Sequence, residues 1–217
     1  MKRIWTIAIV TVVAAVVGLP IGVEFVRGEG STDEVSPPPT LYDRIGKDFF
    51  AGLSGDTAAF ERAMNVCEQA LAFDPKDGEA LVYLGAGDLW RAGQAFRHGN
   101  VSEGFSLWAD GLRKMDEGVG LAPSDPSVRI ARGVPLINCA PFEPCPKASR
   151  QMLEKGVTDL EDAIALIGAD FCKVPPFERR EILTALVDGL ERLGRIEEAE
   201  AYRALIAETL VGTSYVR

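Results

Sequence analysis

Histidine is almost missing from this chain of 217 residues, with His98 its only example. A zinc site with histidine ligands, or a Ser-His-Asp triad, would have to be built around that one side chain. It stands just before Gly99 at the end of a helical stretch, where a bond to terminal carbonyls suits it better than catalysis. Positive charge is also scarce: 23 Lys and Arg against 32 Asp and Glu leave a net charge of −9. No basic stripe is present, so a nucleic-acid partner is not expected, because phosphate binding needs clustered cations. There is no C-x-x-C-H haem motif, no glycine loop built to cradle phosphate and no pair of zinc-spaced ligands. No cofactor and no enzymatic activity are therefore expected. Sustained period-two alternation is missing too, which argues against strands and for an all-α fold.

What is present begins with an uncharged stretch from Ile4 to Val23. As a helix it is long enough to cross about 30 Å of hydrocarbon. Lys2 and Arg3 precede it, and Glu24, Arg27, Glu29, Asp33 and Glu34 follow. The positive-inside rule then puts the N-terminus in the cytoplasm and the rest of the chain outside, periplasmic if the cell is bacterial. The alternative is a signal peptide that is cleaved and releases a secreted protein. Its apolar region should be shorter, about 7–15 residues, and end in a small-residue site. Residues 1–26 are thus read as a transmembrane signal anchor. Residues 27–40 are polar and rich in Gly, Ser and Pro, ending in Pro37, Pro38 and Pro39, and read as a solvated linker. A helical domain is expected over 41–217.

Eight helices in four antiparallel pairs are expected, at 41–53 with 56–73, 77–98 with 102–121, 126–138 with 147–167, and 176–193 with 195–211. Asp74-Pro75 and Ala122-Pro123 end helices, because the residue before proline avoids the α region. Asp77 and Asp125 can cap the helices that follow, and Pro126 falls at a first helical position, where its missing N–H does no harm.

An internal echo runs through these helices. Ala63, Gly111 and Gly156 correspond, as do Cys67, Met115 and Leu160, and Ala70, Gly118 and Ala163. Small residues let two helices approach while the larger ones fill the seam. The pattern resembles the tetratricopeptide repeat, a helix-turn-helix unit of about 34 residues. Ala63, Cys67, Ala70 and Pro75 occupy its second-helix positions, and Leu81, Leu84 and Gly85 those of the next first helix. Gly133 keeps the glycine position in the third unit, but Arg129 and Arg132 stand where apolar residues are usual. In the fourth unit Leu183, Leu186, Leu190, Gly194 and Ala199 fit. Pro75 and Pro123 are 48 positions apart, so about 14 residues, roughly two turns per helix, exceed the family's spacing. The resemblance implies an α-α superhelix of about four helix pairs.

Four cysteines raise the question of disulfides, given an exported domain. Cys67 lies at a seam position and reads as packing. Cys139 and Cys145 bracket the loop CAPFEPC and form the easiest bridge, leaving Cys172 over unless the segment after Gly168 folds back. A redox-active pair is the alternative, disfavoured because the spacing is not C-x-x-C. Asp159, Glu161 and Asp162 read as a solvated helix face.

The resemblance also implies a binding groove lined by the first helices of each pair. Transferred by phase, its positions are Glu79, Val82, Ala86 and Leu89, then Ser127, Ile130, Val134 and Ile137, then Glu181, Thr184, Asp188 and Glu191. Such a groove is apolar in the middle and acidic toward its C-terminal end. The expected role is a membrane-tethered scaffold that binds protein partners or helps assemble an envelope complex. The alternatives are a thiol-dependent factor using the Cys139–Cys145 loop, and a structural protein that associates with itself as a homo-oligomer.

Overall fold

The structure, a computed structural model, describes residues 41–212, with side chains to residue 207. The expected membrane anchor and linker lie outside the described residues. Among those residues the fold is all-α, with eight α-helices and no strand. They are α1 (Leu41–Leu53), α2 (Thr57–Phe73), α3 (Gly78–Arg97), α4 (Val101–Leu121), α5 (Pro126–Cys139), α6 (Pro146–Ile167), α7 (Pro176–Leu193) and α8 (Ile196–Gly212). No helix of the described residues is long and apolar enough to cross a membrane. The chain divides into two compact units, Met1–Val66 and Cys67–Arg217, with the boundary inside α2.

The helix ends follow the punctuation of the sequence. Asp56 accepts the Ala59 N–H at 3.0 Å and opens α2. Asp77 accepts the Ala80 N–H at 2.9 Å and opens α3, while Asp125 accepts the Ser127 N–H at 2.8 Å and opens α5 with Pro126 in its first turn. Each bond satisfies a donor that the helix itself leaves bare. Gly99 and Gly194 follow α3 and α7 at φ of +82° and +79°, the left-handed conformation in which glycine meets no steric penalty. His98 caps α3 as expected, its Nδ1 lying 2.9 Å from the Gln94 carbonyl oxygen.

In the first unit, α1 and the start of α2 form a hairpin. Ile45, Phe49, Phe60 and Met64 are buried. A Cβ on Gly52 would lie 2.6 Å from the Phe60 Cβ, so this crossing requires glycine. On the outside, Arg62 grips Asp48 through two hydrogen bonds of 2.8 Å. That contact holds the Asp48 carboxyl below the usual carboxylate range.

The second unit contains three antiparallel pairs, α3/α4, α5/α6 and α7/α8. α5 packs on both α3 and α7, and α6 packs on α7. The α3/α4 seam is made of backbone. A Cβ on Gly85 would come within 2.6 Å of the Gly111 carbonyl oxygen, and one on Gly78 within 2.6 Å of the Gly118 oxygen. The seven-residue spacing of each glycine pair puts both on one helix face, so the two helices touch at two levels. Met115 and Val119 fill the gaps beside them. The α5/α6 pair repeats one level of this arrangement: a Cβ on Gly133 would lie 3.0 Å from the Gly156 oxygen, and one on Gly156 2.9 Å from the Gly133 oxygen.

Two features differ from the sequence expectation. α5 carries Pro135 in its interior, which removes one backbone donor. The helix ends at Cys139, and a 3-10 turn, Ala140–Phe142, follows it. After Gly168, at φ of +59°, the chain forms a second 3-10 segment, Gly168–Lys173, with no buried residue.

Candidate functional site

The most heavily buried charge in the second unit is Asp159 on α6, only 1 % exposed. An ionised carboxylate there is tolerable only if it is paired and hydrogen-bonded. Both conditions are met from α5. Arg132 donates through Nε at 2.6 Å and Nη2 at 2.8 Å, a two-pronged grip, and Arg129 donates through Nη1 at 3.1 Å. The network then spreads outward. Arg132 Nη1 reaches Asp116 on α4 at 3.0 Å, Lys155 reaches the same carboxylate at 2.8 Å, and Arg129 reaches Asp162 at 2.8 Å. Arg129 Nε also donates to the Pro123 carbonyl at 2.8 Å. Burial works against the Arg132 charge, but Asp159 and Asp116 outweigh it and hold the guanidinium above its ordinary pKa.

This cluster corrects the reading of Asp159 as part of a solvated face, and it accounts for the two arginines that departed from the expected apolar pattern. Arg129 and Arg132 stand where apolar residues were expected because Asp159 stands opposite. Three carboxylates and three cations close the network and tie α4, α5 and α6 together. A bidentate Arg–carboxylate contact adds geometric specificity to its attraction. The arrangement positions helices. Glu161 lies apart from it, paired with Arg195 at 2.7 Å.

The expected groove divides in two. Val82 is fully buried, and Ala86 and Leu89 are buried as well, so these three belong to the core and cannot line a surface. The physical reason is the glycine seam: Val82 Cγ2 would lie 2.5 Å from a Cβ on Gly118, and Leu89 packs beside Gly111. Ile137 is also core, lying against Gly156 and Gly189. Glu79 is half-buried. The remaining positions do reach the surface. Ser127, Ile130 and Val134 on α5 are half-buried, while Glu181, Thr184 and Glu191 on α7 are exposed and Asp188 is half-buried. Residues 181, 184, 188 and 191 follow helical spacing and form one stripe.

Contacts tie the two helices together at this face. Arg192 donates Nη1 to the Ile137 carbonyl at 3.0 Å and Nη2 to Asp188 at 2.8 Å, so Asp188 lies on the α5 side of α7. Burial pushes the Asp188 carboxyl up despite Arg192 beside it. Arg203 of α8 pairs with Glu191.

No disulfide joins any of the four cysteines. Cys67 is buried, as its seam position implied, and Cys172 is exposed on the second 3-10 segment. Cys139, the last residue of α5, is half-buried, and burial pushes its thiol up to about 12. Cys145 is exposed at the start of α6. The bridge expected between them is therefore open in this structure, with one sulfur shielded and the other facing solvent.

Among the described residues, one surface depression runs along Gly194–Glu198 and another is lined by Pro123, Ser124, Arg129, Asp162, Ala165 and Leu166. In the second, the Arg129 guanidinium is engaged by Asp159 and Asp162. No protein-family model matches this chain, and no curated protein and no solved structure matches it either.

Proposed function

We propose that the chain is a membrane-tethered extracytoplasmic scaffold, resembling tetratricopeptide-repeat proteins, that binds a protein partner along the shared face of α5 and α7. The observation that carries this reading is the stripe of Glu181, Thr184, Asp188 and Glu191 on α7, a helix that packs on α5, where Ile130 and Val134 are half-buried. Aliphatic surface flanked by polar and charged groups is the usual composition of a non-obligate protein interface. The tether rests on the uncharged stretch from Ile4 to Val23.

A photo-crosslinking residue at Thr184 in the full chain, expressed in its native membrane, tests the proposal. A discrete protein adduct is expected from Thr184, and none from Glu117 on the exposed side of α4. Equal adducts from both positions, or none from Thr184, would overturn it.

A further inference from the structure

We propose that the loop from Cys139 to Cys145 is an oxidation-responsive latch, in which a disulfide between the two cysteines draws Glu143 away from Trp108 and loosens the loop's hold on α4. The latch does not depend on whether the α5/α7 face binds a partner.

The coupling runs through one carboxylate. Glu143 Oε2 accepts the Trp108 indole N–H at 3.2 Å, and Oε1 accepts the backbone N–H of Cys145 at 3.1 Å. Trp108 belongs to α4, so Glu143 is the polar link between that helix and the loop. Cys145 opens α6 without a side-chain cap of its own. The Ser149 hydroxyl, one turn further along α6, donates to the Ala140 carbonyl at 2.7 Å. That bond keeps the first turn of α6 against the residue after Cys139, and both cysteines lie at the same end of the helix pair. A disulfide needs Cα atoms within about 7 Å. In the latch, closing the bond shifts the Cys145 turn, and the Glu143 carboxylate bonded to the Cys145 N–H shifts with it.

The chemistry needs a low-molecular-weight disulfide as oxidant, for which glutathione disulfide serves. The exposed Cys145 loses its proton to solvent, and its thiolate attacks one sulfur of the glutathione disulfide. The old S–S bond breaks, a mixed disulfide forms, and one glutathione departs, taking up a proton. Cys139 then loses its proton and attacks the Cys145 sulfur. The protein disulfide forms and the second glutathione leaves. Two protein thiols are oxidised by two electrons, and one glutathione disulfide is reduced to two thiols. Little thiolate is present at Cys139, because burial pushes that thiol up to about 12. The second step is therefore the slow one, and glutathionyl-Cys145 accumulates before the bond closes.

The test uses the full chain incubated with glutathione disulfide, followed by peptide mass mapping and tryptophan emission. A linked Cys139–Cys145 peptide is expected to appear after a glutathionyl-Cys145 intermediate, with emission moving to longer wavelength as the indole loses Glu143. Cys145→Ser should abolish both changes, and Trp108→Phe should form the bond without the emission change. Glu143→Ala should show the shifted emission before any oxidant is added. The proposal is overturned if Cys145 ends glutathionylated or bonded to Cys172, or if the bond forms while Trp108 emission stays unchanged.

Discussion

The α3/α4 and α5/α6 pairs share one backbone register and stabilise it by different means. Gly85 meets Gly111 in the first pair as Gly133 meets Gly156 in the second, although an added Cβ would come closer to the facing oxygen in the first, 2.6 Å at Gly85 against 3.0 Å at Gly133. Around that point the two diverge. In α3/α4 a second glycine level, Gly78 against Gly118, lets the helices lie together along much of their length. Its buried acid, Asp88 on the first helix, takes Lys114 at 2.5 Å and Arg91 at 3.8 Å, both partly in solvent. In α5/α6 the buried acid is Asp159 on the second helix, gripped by two well-covered arginines. One crossing geometry therefore accepts either a backbone seam or a buried ion cluster, provided the glycine at the contact is kept.

If that comparison is right, the largest effect comes from removing the acid that the arginines surround. Asp159→Ala should destabilise by about 3–5 kcal/mol in denaturant unfolding, because it leaves covered guanidinium groups without their carboxylate. Replacing the cluster outright, with Arg129→Leu, Arg132→Leu and Asp159→Leu together, should recover most of that loss. Apolar residues of similar size often match or exceed a buried ion pair. A triple variant as unstable as Asp159→Ala alone would show that the charges do more than pack.

Next in size is Gly85→Ala. Its Cβ would lie 2.6 Å from a backbone oxygen that cannot rotate away, so an overpacking loss of about 2–3 kcal/mol is expected. A neutral result would mean that the two helices are not this close. Asp88→Ala should follow at about 1–2 kcal/mol, since Lys114 and Arg91 can turn to water when the acid is gone. The smallest effect has the opposite sign. Gly120, exposed on α4, has no atom within 4 Å of an added Cβ. Gly120→Ala should therefore raise the unfolding free energy, by about 0.5–1 kcal/mol through helix propensity alone.

The helices were legible in the sequence because their ends are written in local chemistry. Asp77, Asp125, Pro126, Gly99 and Gly194 act on their own neighbours, and each boundary falls within one residue of its expected place. The echo of Gly111 and Gly156 was also readable, and both do sit where helices touch. What failed depended on partners distant in sequence. Asp159 looked solvated beside Glu161 and Asp162, because a charged run on a helix usually is. Its burial follows from Arg132, 27 residues earlier on another helix. The clue lay in Arg129 and Arg132, two cations one turn apart at positions where apolar side chains were expected. They called for an acid on the facing helix. The groove assignment failed at Val82, Ala86 and Leu89 for a related reason: a repeat's phase says which residues share a face and not whether that face is covered.

The most direct test of the account is whether the ion cluster and the partner face are separable. Photo-crosslinking from Thr184 should be repeated in the full chain carrying Arg129→Leu, Arg132→Leu and Asp159→Leu, with folding checked by circular dichroism. If the cluster only holds helices together, a folded triple variant keeps the adduct that the unaltered chain gives. Loss of that adduct from a folded variant would contradict the account and make the charged cluster itself part of the binding site.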